Sequence, residues 1–412
     1  MFGRPALKPL KPRQTIEVSG EHIKLRIVLW VLLVAIAVTA AVLGMRAIFT
    51  RDSGWITVRA ESEIPAQATA ELSFQYCLGE NATAEIKQLT ALYTQLAGRA
   101  YRVYHPTERF EGLGNLAALN AAPNQDVTLE PELYRALELV TRLDSRVIFL
   151  GPAYAQYDAV FRSREDEEAA LYDPMRNQEA GEYLSQLMAF AGDPEAISLS
   201  LLGENRARLR VSEAYLDFAA AYEIPALLDF YWTRNAFVLD DLAAGLSAQG
   251  YSRGYLVSAE GFGRYLGPSQ DSYTVELRDL RSDQLGQPAR LELEGPLSAA
   301  ALHGYSLSGS AGDYFYRYED GSLRMPYLDS RSGQCRCAIP DLTLLSDGVG
   351  CGELALRANE LLTASAWERE KAAALGAAGI GALWCENKTL YHTALPCGLE
   401  LTDPSYAERQ LP

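Results

Sequence analysis

The chain has 412 residues, 48% hydrophobic and 22% charged, and a net charge of -16. That composition is globular, with enough length for a large core. The acidic balance argues against nucleic acid as the main partner, and against adhesion to anionic lipid unless something else holds the protein there.

Residues 1–20, rich in Pro and Lys, read as a disordered tail. "IVLWVLLVAIAVTAAVLGM", Ile27 to Met45, carries no charge. At roughly 1.5 Å per residue it nearly crosses a hydrocarbon core of about 30 Å. Arg4, Lys8, Lys11, Arg13, Lys24 and Arg26 precede it, and Arg46, Arg51 and Arg59 follow. The positive-inside rule makes residues 1–26 a cytoplasmic tail, 27–45 a single transmembrane helix, and the remainder extracytoplasmic. The apolar run is longer than a signal-peptide core and its leader is long, so an uncleaved anchor in the cell membrane is expected.

Beyond the span, "WITVRA" and "TAELSFQY" alternate as strands. "ATAEIKQLTALYTQLAGR" is an amphipathic helix expected to end near Gly98. "NQDVTLEPELYRALELVTRLDS" gives a turn, Pro131 near a helix start, and an apolar stripe. Residues 164–180 are a polar surface stretch, their "REDEE" a solvated charge run. "ISLSLLG" and "RARLRVS" flank Glu204-Asn205 as a hairpin. "AFVLDDLAAGLSAQG" is a helix stopped by Gly250. Short strands then dominate to about residue 345, before two helical segments and the hairpin-like "GALWCENKTLYHT". The fold class is α+β, one compact domain of two joined lobes.

Six cysteines outside the membrane permit disulfides, but Cys335-Arg336-Cys337 lacks the spacing of a redox motif, and buried thiols are the plainer reading. Four histidines far apart in sequence make no zinc pattern. "GFGRYLG", Gly261 to Gly267, reads as a turn more than a phosphate loop. "GVGCG" at 348–352 opens a helix, where free N–H groups either bind an anion or are capped. Glu353 and Arg357 stand four apart on that helix. Tyr314, Phe315, Tyr316 and Tyr318 crowd one strand-like run.

Four segments in order resemble the ApbE flavin transferase family, whose members take FAD and transfer FMN to a Ser or Thr hydroxyl of a partner protein. They are "LGNLAALNAAPNQDVTLEPELYRALELV", "LLDFYWTRNAFVLDDLAAGLSAQGY", "YSLSGSAGDYFYRYEDGSLRMPYLDSRSG" and "GELALRANELL". The resemblance implies a T-fold-like domain over residues 52–405 and a flavin site. It places Asp240, Ser308, Gly309, Asp329 and Gly333 on matching cofactor-binding positions, with Asp229 also matching. Other positions depart. The family Lys falls on Asn235, its Gly-Gly on Tyr231 and Trp232, its His on Pro326, its Pro on Ser330, and an acidic position on Phe262. A carbonyl-donating Ala falls on Arg234, and the metal-binding Asp and Thr on Glu353 and Arg357. Arginine has five donors and no acceptor, so Arg357 cannot replace a Thr ligand. Arg234 and Arg357 are expected instead to converge beside Glu353 as cofactor-binding substitutes for the cation. Two readings follow. One is a membrane-anchored flavin transferase relative that takes FAD but no metal and whose transfer chemistry is lost or altered. The other is a non-catalytic scaffold for an extracytoplasmic envelope or redox protein.

Overall fold

The computed structural model describes residues 23–49, 53–267, 273–281, 284–306 and 314–412. The tail expected over residues 1–20 lies outside them. The chain divides into two units, Met1–Asp52 and Ser53–Pro412. In the first, helix α1 spans Ile23–Phe49, and its apolar side chains from Val28 to Val38 are exposed. The side chains at both ends of α1 lie outside the described residues, and among the described residues no helix is long and apolar enough to cross a membrane.

The second unit is built on a nine-stranded sheet. Its strands are β1 (Gly54–Val58), β2 (Leu72–Leu78), β3 (Gly254–Ser258), β4 (Phe262–Tyr265), β5 (Leu297–His303), β6 (Asp341–Ser346), β7 (Gly381–Glu386), β8 (Thr389–His392) and β9 (Ala407–Gln410). They lie side by side in chain order, all antiparallel except the parallel β8–β9 pair. Edge strand β1 alternates exposed and inward residues, whereas every residue of central β6 is buried. Both faces of the sheet are therefore covered there, and the polar Asp341, Thr343 and Ser346 are buried along with its three leucines. The β7–β8 turn sets both Asn387 and Lys388 at positive φ, 50° and 59°, the geometry that matches strand twist.

Helices α2 (Ala82–Val103), α3 (Pro131–Arg142), α4 (Gly151–Arg162), α5 (Asp166–Tyr172), α6 (Gln178–Ala191), α7 (Glu213–Ala221), α8 (Arg234–Ala248) and α9 (Cys351–Leu362) belong to the same unit. On one face of the sheet α2 packs on α8, and α8 on α9. Phe74, Leu256, Phe262, Leu302, Leu344 and Trp384 meet these helices in the main core. The other face buries Leu345 and Leu383 with residues of a three-stranded sheet, among them Leu291. The α+β class and the hairpin over residues 197–211 are as read from sequence.

Two local expectations are corrected. Helix α2 runs through Gly98, because a side chain there would collide with Ile64, 2.6 Å away, and only hydrogen fits. The stretch over residues 164–180 is not merely surface. It forms α5 and the start of α6, and Asp173 is fully buried against Arg324 and Tyr318 at 2.8 and 2.9 Å. Asp166 of the charge run accepts from Tyr316 Oη at 2.9 Å.

Gly261 at the β3–β4 turn has φ 107°, and a Cβ there would lie 2.0 Å from the Ala301 carbonyl oxygen. "GFGRYLG" is thus a tight turn running into a strand, without a phosphate loop. Gly261→Ala is expected to cost about 2 kcal/mol or more, combining a forbidden φ with a backbone clash. Urea unfolding should show a lower midpoint at unchanged slope.

Candidate functional site

The site is assembled where α8 meets α9. Asp240 of α8 points at the N-terminus of α9, and its carboxylate accepts from the backbone N–H of Cys351 and of Gly352, both at 2.9 Å. Ser346 Oγ accepts from Gly348 and Val349 N–H at 3.1 and 3.2 Å. The "GVGCG" amides are therefore capped from within, so the anion at this helix end is a side chain of the protein. Burial pushes the Asp240 carboxyl up, and Arg264 and the two amides oppose that. Gly350 must lack a side chain here, since a Cβ would sit 2.3 Å from Asp240 Oδ2.

In the same first turn of α9, Glu353 is buried between two arginines. Arg142 of α3 lies 2.7 Å from Oε2, and Arg357 lies 3.5 Å from Oε1. The expected convergence of Arg234 with Arg357 does not occur. Arg234 pairs instead with Glu71 at 3.5 Å, and Arg142, a residue outside the family-like motifs, fills the role at Glu353. A hard cation needs free oxygen donors. Both Glu353 oxygens face guanidinium groups and both Asp240 oxygens hold amides, so this donor set does not fit a divalent ion. Among the described residues no group of three or more His, Cys, Asp or Glu is arranged to hold one.

Arg234 lines a cavity of about 460 Å³ with Glu71, His105, Asp229, Tyr231 and Tyr314. Tyr231 stands at φ 44°, so the residue in the glycine position keeps a glycine-like backbone. The Asp229 carboxylate accepts the Tyr231 N–H at 2.8 Å and holds that turn. The Tyr231 ring stacks on Tyr154 with centroids 4.7 Å apart and meets Tyr314 edge-on at 5.0 Å. Trp232 is buried and stacked on Phe262 at 6.0 Å. The Tyr231 and Trp232 rings thus fill space that glycines would have left open.

Behind Arg234, buried Asn235 donates from Nδ2 to Glu71 Oε2 and to Glu260 Oε1, both at 2.8 Å. Tyr314 Oη donates to the other Glu71 oxygen at 3.1 Å. Glu260 Oε2 is buried without a partner. Burial, then the charge of Glu71, pushes the Glu260 carboxyl up to about 7. Nothing in sequence pattern pointed to Glu71 or Glu260. Glu71 lies just before β2 and Glu260 just after β3, and only folding brings them to one amide.

Asp329 and Gly333 form a turn. Gly333 N–H donates to the Asp329 carbonyl at 2.7 Å with φ 67°, and the Asp329 carboxylate accepts from Ser332 Oγ at 2.7 Å. Asp329 and Arg357 line a second cavity, apart from the Tyr231 one. Ser308 and Gly309 lie outside the described residues. Cys335 and Cys337 are not joined to each other, and burial pushes their thiols up to about 11 and about 12.

No protein-family model matches the chain, and no curated protein matches its sequence. Solved structures do match its shape, and they define the class as an ApbE-like fold. The ApbE protein from Thermotoga maritima superposes with a TM-score of 0.54 at 12% identity, over 81% of this chain and 94% of its own. A variant of the flavin transferase ApbE from Vibrio cholerae superposes with a TM-score of 0.53 at 13% identity, over 84% and 98%. At these identities the likeness is one of fold.

Two expectations test the site. A carboxyl with a folded pKa above its unfolded value holds its proton more tightly when folded. Glu260 moves from 4.5 to about 7, so its contribution is full below pH 4.5 and is lost as pH rises to about 7. The stability difference between wild type and Glu260→Gln should therefore shift by about 1–3 kcal/mol across that window, favouring the variant at pH 8. Urea titrations at several pH values read it; Asp241, also raised to about 7 by burial, keeps a parallel slope in both proteins. Separately, Arg142→Ala is expected to cost about 1–3 kcal/mol by leaving Glu353 underpaired, and Glu353→Gln added to it should recover most of that loss. An equal loss in the double variant would mean that Arg142 acts through packing alone.

Proposed function

We propose that this chain is a membrane-tethered, extracytoplasmic ApbE-fold protein that does not transfer flavin and acts by binding a partner protein. The observation that carries the reading is Glu353 held between Arg142 and Arg357 at 2.7 and 3.5 Å. Cleavage of a flavin dinucleotide develops charge on the diphosphate, which a cation must neutralise. Where the resembling family binds that cation, this chain holds guanidinium groups with no acceptor oxygen. The stacked pair Trp232–Phe262 supports the same reading by filling the neighbouring space. Tethering is supported by the uncharged run over residues 27–45 and by the exposed apolar side chains of α1, Trp30 at 69% among them.

Retained flavin binding without transfer is the second reading, favoured by the tyrosine-lined cavity beside Arg234. One preparation separates the two. The full chain, purified in detergent, is incubated with FAD and Mg²⁺, and AMP release and flavin absorbance are measured. Colourless protein and no AMP support the scaffold. Yellow protein without AMP supports flavin binding alone. Mg²⁺-dependent AMP release above the protein-free rate would overturn the proposal.

A further inference from the structure

The two edges of the nine-stranded sheet are unlike. At one edge, β9 carries Glu408 and Arg409, and all of its residues are exposed. Charges of this kind keep an edge from pairing with a further strand. At the other edge, β1 reads "GWITV", with no charge and no proline, and its Trp, Ile, Thr and Val all favour strands. Trp55 is 41% exposed and leans on Tyr255 and Tyr273, with ring centroids 6.0 and 5.8 Å away. The strand is thus held firmly along the sheet and carries neither of the chemical guards that edges commonly use.

The register shows which backbone groups face outward. Cys77 of β2 donates its N–H to the Arg253 carbonyl at 2.7 Å, so the odd-numbered residues of β2 bond towards β3. Its even-numbered residues bond to β1, where they stand opposite Gly54, Ile56 and Val58. The N–H and C=O groups of Trp55 and Thr57 therefore point away from the sheet. Among the described residues no other segment bonds to them. Both of these side chains are exposed, whereas Ile56 is half-buried against the main core.

We infer that β1 pairs with β1 of a second copy of this chain, antiparallel about a twofold axis at Ile56. Only this register overlaps the whole strand. Trp55 of each copy then stands beside Thr57 of the other, an aromatic next to a β-branched residue. Each copy donates two N–H groups and accepts two. Ile56 meets its own mate at the closely spaced, non-hydrogen-bonded pair. Continuing the register sets Arg59 opposite Ser53, so no like charges meet there, although each chain carries a net charge of -16. The strand is in this sense complementary to itself, which is the argument for a second copy over an unrelated segment. So few bonds hold two copies weakly in free solution. Confinement to one membrane raises their effective concentration, and to that extent the inference rests on the tether proposed above.

Disulfide trapping on the full chain in lipid vesicles tests the pairing. Cα atoms of Ile56 and its mate would lie about 4.5 Å apart, within disulfide range, and those of Thr57 and its mate about 8 Å apart, beyond it. Under mild oxidation Ile56→Cys is expected to form linked dimer at least tenfold faster than Thr57→Cys, and than the wild type with its own six cysteines. Adding Thr57→Pro to Ile56→Cys should slow linking at least tenfold while circular dichroism stays unchanged, because β2 does not use the lost N–H. Vesicle flotation reads the tether separately. A chain that does not float has its linking rates compared in detergent at high protein concentration, so the tether and the pairing fail independently. Equal linking at positions 56 and 57, an unchanged rate in a folded Thr57→Pro protein, or no linked dimer from folded Ile56→Cys would overturn the assignment and leave the edge to an extended segment of a different protein.

Discussion

The arrangement of the α8–α9 face rests on one carboxylate. Asp240 leaves α8 and satisfies two amides at the start of α9, at 2.9 Å each. Those amides have no intrahelical partner, and the helix dipole favours an anion there. Because Asp240 is itself partly buried, its charge is held in place by the two amides and by Arg264, 3.6 Å away. The contact therefore fixes the axial position of α9 against α8. That position carries Glu353 to Arg142 on α3, and Arg357 and Asn359 to the second cavity. The small residues Gly350 and Gly352 follow from it, since their Cβ atoms would meet Asp240 at 2.3 Å and Phe237 at 2.8 Å.

What could be read from the chain divides along one line. Elements whose cause is local were legible. The 204–205 turn has two consecutive residues at positive φ, 52° and 58°, and Gly250 ends α8 at φ 82°. The motif order was legible too, because helix starts and tight turns impose residue types at short spacing. Pairings across long sequence separations were not. Arg142 and Glu353 are 211 residues apart, and Asn235 and Glu71 are 164 apart. An arginine on an exposed stripe of α3 gives no sign of which carboxylate it will meet. Helix α4 was not expected either, although its buried Ala153, Tyr154, Tyr157, Val160 and Phe161 recur at helical spacing.

The same limit explains the two arginines. Aligned by motif, Arg234 and Arg357 belong at one centre. In the fold they serve different acids, Glu71 and Glu353. A buried acid needs compensation at each of its oxygens. At Glu353 two guanidinium groups supply it. Beside Arg234 the compensation is incomplete, because Asn235 stands where the resembling family carries Lys. A lysine between Glu71 and Glu260 would bring a full positive charge to both acids. An amide brings only its two N–H donors and no charge. Burial and the neighbouring Glu71 carboxylate therefore raise Glu260, whose second oxygen stays unbonded. The two acid clusters thus differ electrostatically. Around Glu353 two guanidinium groups offset the charge, whereas at Glu260 burial and Glu71 favour the protonated form. No single substitution would bring both to the same state, since the first would have to lose a cation and the second to gain one.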